Sequence, residues 1–292
     1  MKAMRMHGYG VPAMIHEDEI DRPSPGPGEV LLRTAATTFN PSEAGLRQGL
    51  LRSIIPLDLP YTMGLDVAGT VVAVGDPVVE PPGAGDRVGA SFGVGDRVIG
   101  RLDGGAAADF AVAPAEALVR VPAEVNLEEA AALPIAGLTA WQAVFEHGAV
   151  TAGQRVLVNG TGTIGRYAAQ LAEHAGAHVT VVGRGGAPGT EPVDVFLHLV
   201  PAAPGHTGVI RPGGVLVSVT TPVDQLPPGG FRPVHFIVRN DTAQLGEMLK
   251  LVAAGAIRID IADRRPLADL AAVHEAAESG RLPGKTLLLP GH

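Results

Sequence analysis

Gly160, Gly162 and Gly165 stand in the spacing G-x-G-x-x-G between the apolar run VLVN at 156–159 and the segment IGRYAAQLAEHAG at 164–176. That spacing suits a turn that grips a pyrophosphate. The first glycine allows the tight turn, the second lets the backbone approach the phosphates, and the third lets strand and helix pack closely. Thr163 and Ile164 fall inside the same loop and open the helix whose free N–H groups would face the anion. A glycine turn serving packing alone is the plain alternative in a chain with 39 glycines. The strand after this helix ends VVGR, so Arg184 stands where dinucleotide sites that prefer NAD carry an acidic residue. With no carboxylate to repel a 2′-phosphate and an arginine placed to pair with one, NADP(H) is favoured. A solvent-facing arginine is the competing reading.

The elements that must position these residues are legible from periodicity. Residues 1–122 show short alternating segments cut by Gly, Pro and Asp, with strands expected at 29–35, 67–74, 97–100 and 108–113. Asn126 can cap a helix carrying Glu128 and Glu129 in its first turn. A second helix is expected over 138–147, a buried strand at 213–219, amphipathic helices at 243–254 and 267–279, and a closing strand at 285–289. Only GGAPGTEP, residues 185–192, separates Arg184 from the next apolar run at 193–200, where a helix, a third strand and often another helix would ordinarily stand. An extended linker of nine residues reaches roughly 30 Å, enough to return along a strand and cross two strand spacings. The sheet can therefore close without the missing elements, although the shelf for the adenosine becomes thin.

Composition bounds the partners. The formal net charge is -8 and there is no cysteine, so disulfides, thiolate nucleophiles and cysteine-bearing zinc sites are excluded. No basic field exists to hold nucleic acid or an anionic membrane. No apolar run approaches the roughly 20 residues of a membrane helix without Pro, Gly or charge. A cytoplasmic protein is expected, and the bias toward Arg, Ala, Gly and Pro suggests a GC-rich bacterial genome. The ten histidines form no H-E-x-x-H and no pair backed by a third ligand. Gly89 to Gly93, GASFG, matches a nucleophile elbow by letter but leads into another strand instead of a helix. The tetrapeptide GDRV occurs twice, at Gly85 and Gly95, as a local duplication.

The glycine loop together with PSPGPGEVLLR, MGLDVAGTVVAVG, AALPIAGLTAWQAVFEHGAV and PLADLAAVHEAAESGRLPGKTLLL resembles the zinc-independent quinone oxidoreductases and enoyl reductases of the medium-chain dehydrogenase/reductase superfamily. The resemblance implies an α/β protein: a GroES-like β-rich catalytic domain at 1–122, a truncated Rossmann domain with a doubly wound parallel sheet at 123–254, and a segment at 255–292 completing the catalytic domain. It implies NADPH and an enone or quinone in a cleft, and a homodimer as relatives commonly form. Asn40 in TFNPSEAG matches the family asparagine near nicotinamide and substrate, its alternative being a turn-initiating Asn before Pro41. Thr139 in GLTAWQA matches the threonine beside the nicotinamide ribose, or is a buried helix hydroxyl. Phe236 and Val238 resemble the strand lining the nicotinamide ring, or are core. Lys285 in PGKTLL matches a basic residue near the cofactor, or is a surface cation.

The departures are informative. Where zinc-bearing relatives place Gly-His-Glu this chain has Gly64, Leu65 and Asp66, so no metal is expected; Asp66 reads as a structural hydrogen-bonding residue. Where some relatives carry a proton-assisting tyrosine it has Gly45, and no proton donor is named. Three functions therefore stand side by side: an NADPH-dependent reductase of a quinone or α,β-unsaturated carbonyl, a scaffold turned to cyclisation, isomerisation or elimination with weak or lost cofactor, and a catalytically silent binding protein.

Overall fold

The computed structural model describes residues 1–76, 91–183, 186–200 and 206–291. Arg184, the first GDRV copy and the first two residues of GASFG lie outside them. In chain order the elements are β1 (Lys2–Met6), β2 (Ile15–Glu19), β3 (Glu29–Thr38), α1 (Pro41–Gln48), β4 (Tyr61–Thr62), β5 (Asp66–Val74), β6 (Arg97–Arg101), β7 (Phe110–Pro114), β8 (Leu118–Arg120), α2 (Leu127–Ala130) and α3 (Pro134–Trp141). They continue with β9 (Arg155–Asn159), α4 (Thr163–His174), β10 (His178–Val182), β11 (Val193–His198), β12 (Ile210–Ser218), β13 (Arg232–His235), α5 (Thr242–Ala253), β14 (Asp263–Pro266), α6 (Leu270–Glu278) and β15 (Thr286–Leu289).

The chain divides into two compact units. The first comprises Met1–Ile135, Asn240–Leu249 and Ile259–His292, the second Ala136–Arg239 and Lys250–Arg258. Residues 123–135, assigned from sequence to the nucleotide-binding part, thus cluster with the β-rich unit, where the Ile135 amide donates to the Asp66 carboxylate at 2.9 Å.

The first unit holds a three-stranded sheet, β2-β1-β4, and a larger sheet in the order β14-β15-β3-β5-β6-β8, with β7 also paired to β3. Its strands are bulky and β-branched where they face inward: Val30 and Leu32 of β3, Val67 and Val71 of β5 and Val98 of β6 form one apolar core with Phe92 and Leu118. The closing strand β15 lies antiparallel to β3, with Leu287 opposite Thr38. That register brings the end of the chain beside the start of α1.

The second unit is a parallel sheet in the order β10-β9-β11-β12-β13. In a doubly wound sheet with strand order 3-2-1-4-5-6 this corresponds to 2-1-4-5-6, with no third strand among the described residues. Residues 186–192 lead to β11 with neither helix nor strand, and β11 pairs directly with β9, Val195 opposite Val156. Leu157, Val193, Phe196 and Leu216 fill the core between sheet and flanking segments.

Two elements differ from the sequence reading. The helix expected over 138–147 starts at Pro134, which is tolerated in a first helical turn, and passes at Gln142 into a π-helical segment, Gln142–His147. Gly148 ends it by donating its N–H to Ala143 O at 2.9 Å, a five-residue closure. Phe236 and Val238, expected on a strand, follow β13 outside any strand, since the ladder ends at His235.

Candidate functional site

In the first unit the fold gathers five polar side chains in a buried interior. Asp66, at the start of β5, is fully buried. Its Oδ2 accepts from Thr38 Oγ1 at 2.5 Å, from Asn40 Nδ2 at 2.8 Å and from Lys285 Nζ at 3.3 Å, while Oδ1 accepts from the Ile135 amide. Lys285, on the turn before β15, also donates to Asn40 Oδ1 at 2.9 Å. Asn40 is the N-cap of α1, and Glu43 on the first turn of that helix accepts from the Asn40 backbone amide at 3.3 Å and from its Nδ2 at 3.2 Å.

The hydrogen-bond count of Asn40 follows. Its two amide hydrogens go to Asp66 and Glu43, and its oxygen receives Lys285; only the second lone pair of that oxygen is uncommitted. Asn40 is therefore the hub that holds two carboxyl groups and one amine in register. Glu43 is buried, and its Oε2 has no hydrogen-bond partner. Burial, reinforced by the negative charge of Asp66, pushes its pKa up to about 8, so at neutral pH it is largely the protonated acid. Two carboxyl groups share one lysine, and the one without a direct lysine contact stays neutral.

Two of the residues proposed from sequence, Asn40 and Lys285, thus meet, and Asp66 joins them. Lys285 is turned inward and buried instead of reaching out as a surface cation. Glu43 was not singled out, although Asn40-x-x-Glu43 ahead of an apolar stripe is the capping-box signature that could have found it.

In the second unit the glycine turn sits at the C-terminal end of β9. Gly160 has φ +139°, a region favouring glycine, and its N–H donates to Val182 O at 3.0 Å, tying the turn to the end of β10. A Cβ on Gly165 would stand 1.9 Å from Gly160 O, so the third glycine is required for α4 to seat against the turn. Gly162, the N-cap of α4, is the opposite case: nothing lies within 4 Å of where a Cβ would be, and its φ of -73° suits any residue. The space at Gly162 is open at the N-terminus of a twelve-residue helix. Thr163 and Ile164 open the helix, and Tyr167, Ala168, Leu171 and Ala172 bury its inner face.

The other candidates in this unit are Thr139, buried on α3, and Phe236 and Val238 after β13. The Phe236 ring lies 4.3 Å from that of His147, centroid to centroid. Ser218 and His198, at the C-terminal ends of β12 and β11 where ligands of open α/β sheets bind, are joined by a 3.1 Å Nδ1–Oγ hydrogen bond. Among the described residues no group of three or more His, Asp or Glu is arranged to hold a metal ion, and no helix is long and apolar enough to cross a membrane.

Comparison with known proteins gives a consistent pattern. Residues 26–123 match the alcohol dehydrogenase GroES-like domain and residues 176–288 match the zinc-binding dehydrogenase family. The chloroplast envelope quinone oxidoreductase homolog of Arabidopsis thaliana is 38% identical over 187 residues, 62% of this chain and 54% of that protein. The quinone oxidoreductase of Homo sapiens is 34% identical over 183 residues, 61% of this chain and 51% of that protein. The chain thus spans about half the length of the curated relatives it matches. Among solved structures, mycobacterial Rv1454c complexed with NADPH superposes with a TM-score of 0.84 at 25% identity, over 99% of this chain and 100% of that one.

Proposed function

Because the chain belongs to the medium-chain dehydrogenase/reductase superfamily as a quinone oxidoreductase-like member, we propose that it is an NADP(H)-dependent reductase of quinones or α,β-unsaturated carbonyls that works without zinc. The observation that carries the reading is the glycine turn: Gly165 is closed by packing, whereas Gly162 is left open over a helix N-terminus.

When bound, NADPH supplies a hydride for the electrophilic carbon of the substrate. The chain's own groups divide the remaining tasks. Gly160, Gly162, Thr163, Ile164 and Gly165 hold the pyrophosphate through backbone N–H groups, and Arg184 pairs with the 2′-phosphate. Thr139 contacts the nicotinamide ribose, while Phe236 and Val238 give the ring an apolar backing. Asn40 lies near nicotinamide and substrate and holds Lys285, the basic residue near the cofactor, in place. A cytoplasmic location and a homodimer belong to the same reading.

The missing third strand supports a second reading, a non-redox conversion on this scaffold, and beside it a silent binding protein. Titration with NADPH and NADH, followed by nicotinamide fluorescence, separates them. Saturable binding that favours NADPH is expected; no binding of either at roughly millimolar concentration, weaker than about -4 kcal/mol, would remove the reductase reading. Conversion of an enone without nicotinamide would favour the second, and binding without turnover the third.

A further inference from the structure

A dinucleotide fold joins two mononucleotide-binding halves, each ordinarily β-α-β-α-β, and the half that begins at the glycine turn carries the adenosine end, read at the tip of its second strand. In this chain the two halves are unequal. The second retains β11, β12 and β13. The first is β9, α4 and β10, and then residues 186–192 run to β11 without helix or strand.

The consequences are visible around β10. It pairs with β9 and has no second neighbour among the described residues. Thr180 is exposed and Val181 is 45% exposed on a strand that would be interior in a complete sheet. Toward the far end of the strands, residues 188–191 and Val193 leave a cavity of about 320 Å³ against Arg155–Leu157 and His178–Thr180, because a thin extended linker covers a face that a helix would fill. At the tip of β10, the neighbour of Gly183 is the glycine turn itself: a Cβ there would meet Thr161 Cγ2 at 3.4 Å. An adenosine placed at that tip has the turn beneath it. On its other side, where a third strand and its loop would stand, the described residue against the tip is Gly186, which donates its N–H to Gly183 O at 3.1 Å and brings no side chain.

We infer that this protein recognises its cofactor chiefly through the nicotinamide and the phosphate at the glycine turn, and leaves the adenine base unrecognised, so that reduced nicotinamide mononucleotide is a ligand of the same site. The inference rests on the reductase reading and narrows it. The energetic argument is a comparison of contacts. A base packed between two walls is desolvated on both faces, while one lying on a single surface keeps water on the other and loses most of that gain.

Calorimetric titration of the full chain with NADPH, reduced nicotinamide mononucleotide and 2′,5′-ADP tests this without reference to turnover. We expect the mononucleotide to bind within about tenfold of NADPH, and 2′,5′-ADP at least about a hundredfold more weakly than the mononucleotide. Gly162→Ala should weaken NADPH and the mononucleotide together, because both place a phosphate at the turn. A loss of more than about tenfold on removing the adenosine half, or 2′,5′-ADP binding as tightly as NADPH, overturns the inference and leaves the reductase standing. Failure of both nicotinamide compounds to bind overturns the two readings together.

Discussion

Lys285 and Asn40, separated by 245 positions in the chain, are joined by a 2.9 Å hydrogen bond from Nζ to Oδ1 in the interior of the β-rich unit. The bond exists because β15 pairs antiparallel to β3, which ends two residues before Asn40. Asp66, 3.3 Å from the same amine, completes a buried ion pair. Removing one member of such a pair leaves an uncompensated buried charge. Lys285→Met should therefore lower the unfolding free energy by about 3–5 kcal/mol in a urea titration, and Lys285→Met with Asp66→Asn should recover a good part of that. A single variant as stable as the parent would contradict the pairing.

Glu43 makes a statement about pH. Its folded-state pKa lies near 8 against an ordinary value of 4.5, first because it is buried and then because Asp66 is negative. Between those two values the unfolded chain has lost a proton that the folded chain keeps, so stability falls as pH rises, by up to about 1.4 kcal/mol per unit, and levels off above pH 8. Below pH 4.5 both states are protonated and the effect vanishes. Glu43→Gln, which resembles the neutral acid, should flatten the stability–pH curve between pH 4.5 and 8; an unchanged slope would mean the carboxyl is ionised when folded.

His274 acts in the opposite direction. Burial, aided by the charge of Arg47, lowers its pKa from 6.5 to about 3, and its Nδ1 accepts from Arg47 Nε at 3.4 Å, which requires the neutral ring. Arg47 is itself buried, bonded to Gly10 O and Glu278. From pH 6.5 downward the unfolded chain takes up a proton that the folded chain refuses, so stability drops toward pH 3 by up to about 1.4 kcal/mol per unit. Ring NMR signals of His274 that titrate near the ordinary histidine value would exclude this.

The second and third glycines of the turn should respond differently to the same added methyl. Gly162→Ala meets open space at an allowed φ and should leave thermal stability within about 0.5 kcal/mol of the parent, while weakening nicotinamide binding. Gly165→Ala meets Gly160 O at 1.9 Å and should lose both, with a stability cost of about 2 kcal/mol or more. Melting curves with and without NADPH check the pair. Equal behaviour of the two variants would imply that the turn has no ligand.

Much of this fold is written in local patterns. The glycine loop sits between a buried strand and an amphipathic helix, and β3, β5, β6 and β15 lie where alternation and turn residues place them. The absence of a helix after β10 could be foreseen from GGAPGTEP, since Gly and Pro do not sustain one. The polar cluster was less accessible. Asn40 and Lys285 were visible as candidates and Asp66 as a structural hydrogen-bonding residue, but their meeting depends on a strand register set by residues near opposite ends of the chain. Glu43 was overlooked because a capping residue and a buried acid look alike in sequence; what distinguishes them is the neighbour across the sheet. The π-helical turn at Gln142–His147 leaves no mark in periodicity, since one extra residue per turn shifts the apolar stripe too little over six positions.

The β-rich unit is assembled from three stretches of chain, and its larger sheet is closed by β14 and β15, residues 263–289. Until those residues have left the ribosome, Asp66 and Asn40 have no amine to face, and the edge of β3 that β15 will occupy stays bare. The parallel sheet needs only residues 155–235 and can pair its strands first. The order of synthesis therefore leaves the polar cluster to be locked last, by the arrival of a single lysine on the final strand's leading turn.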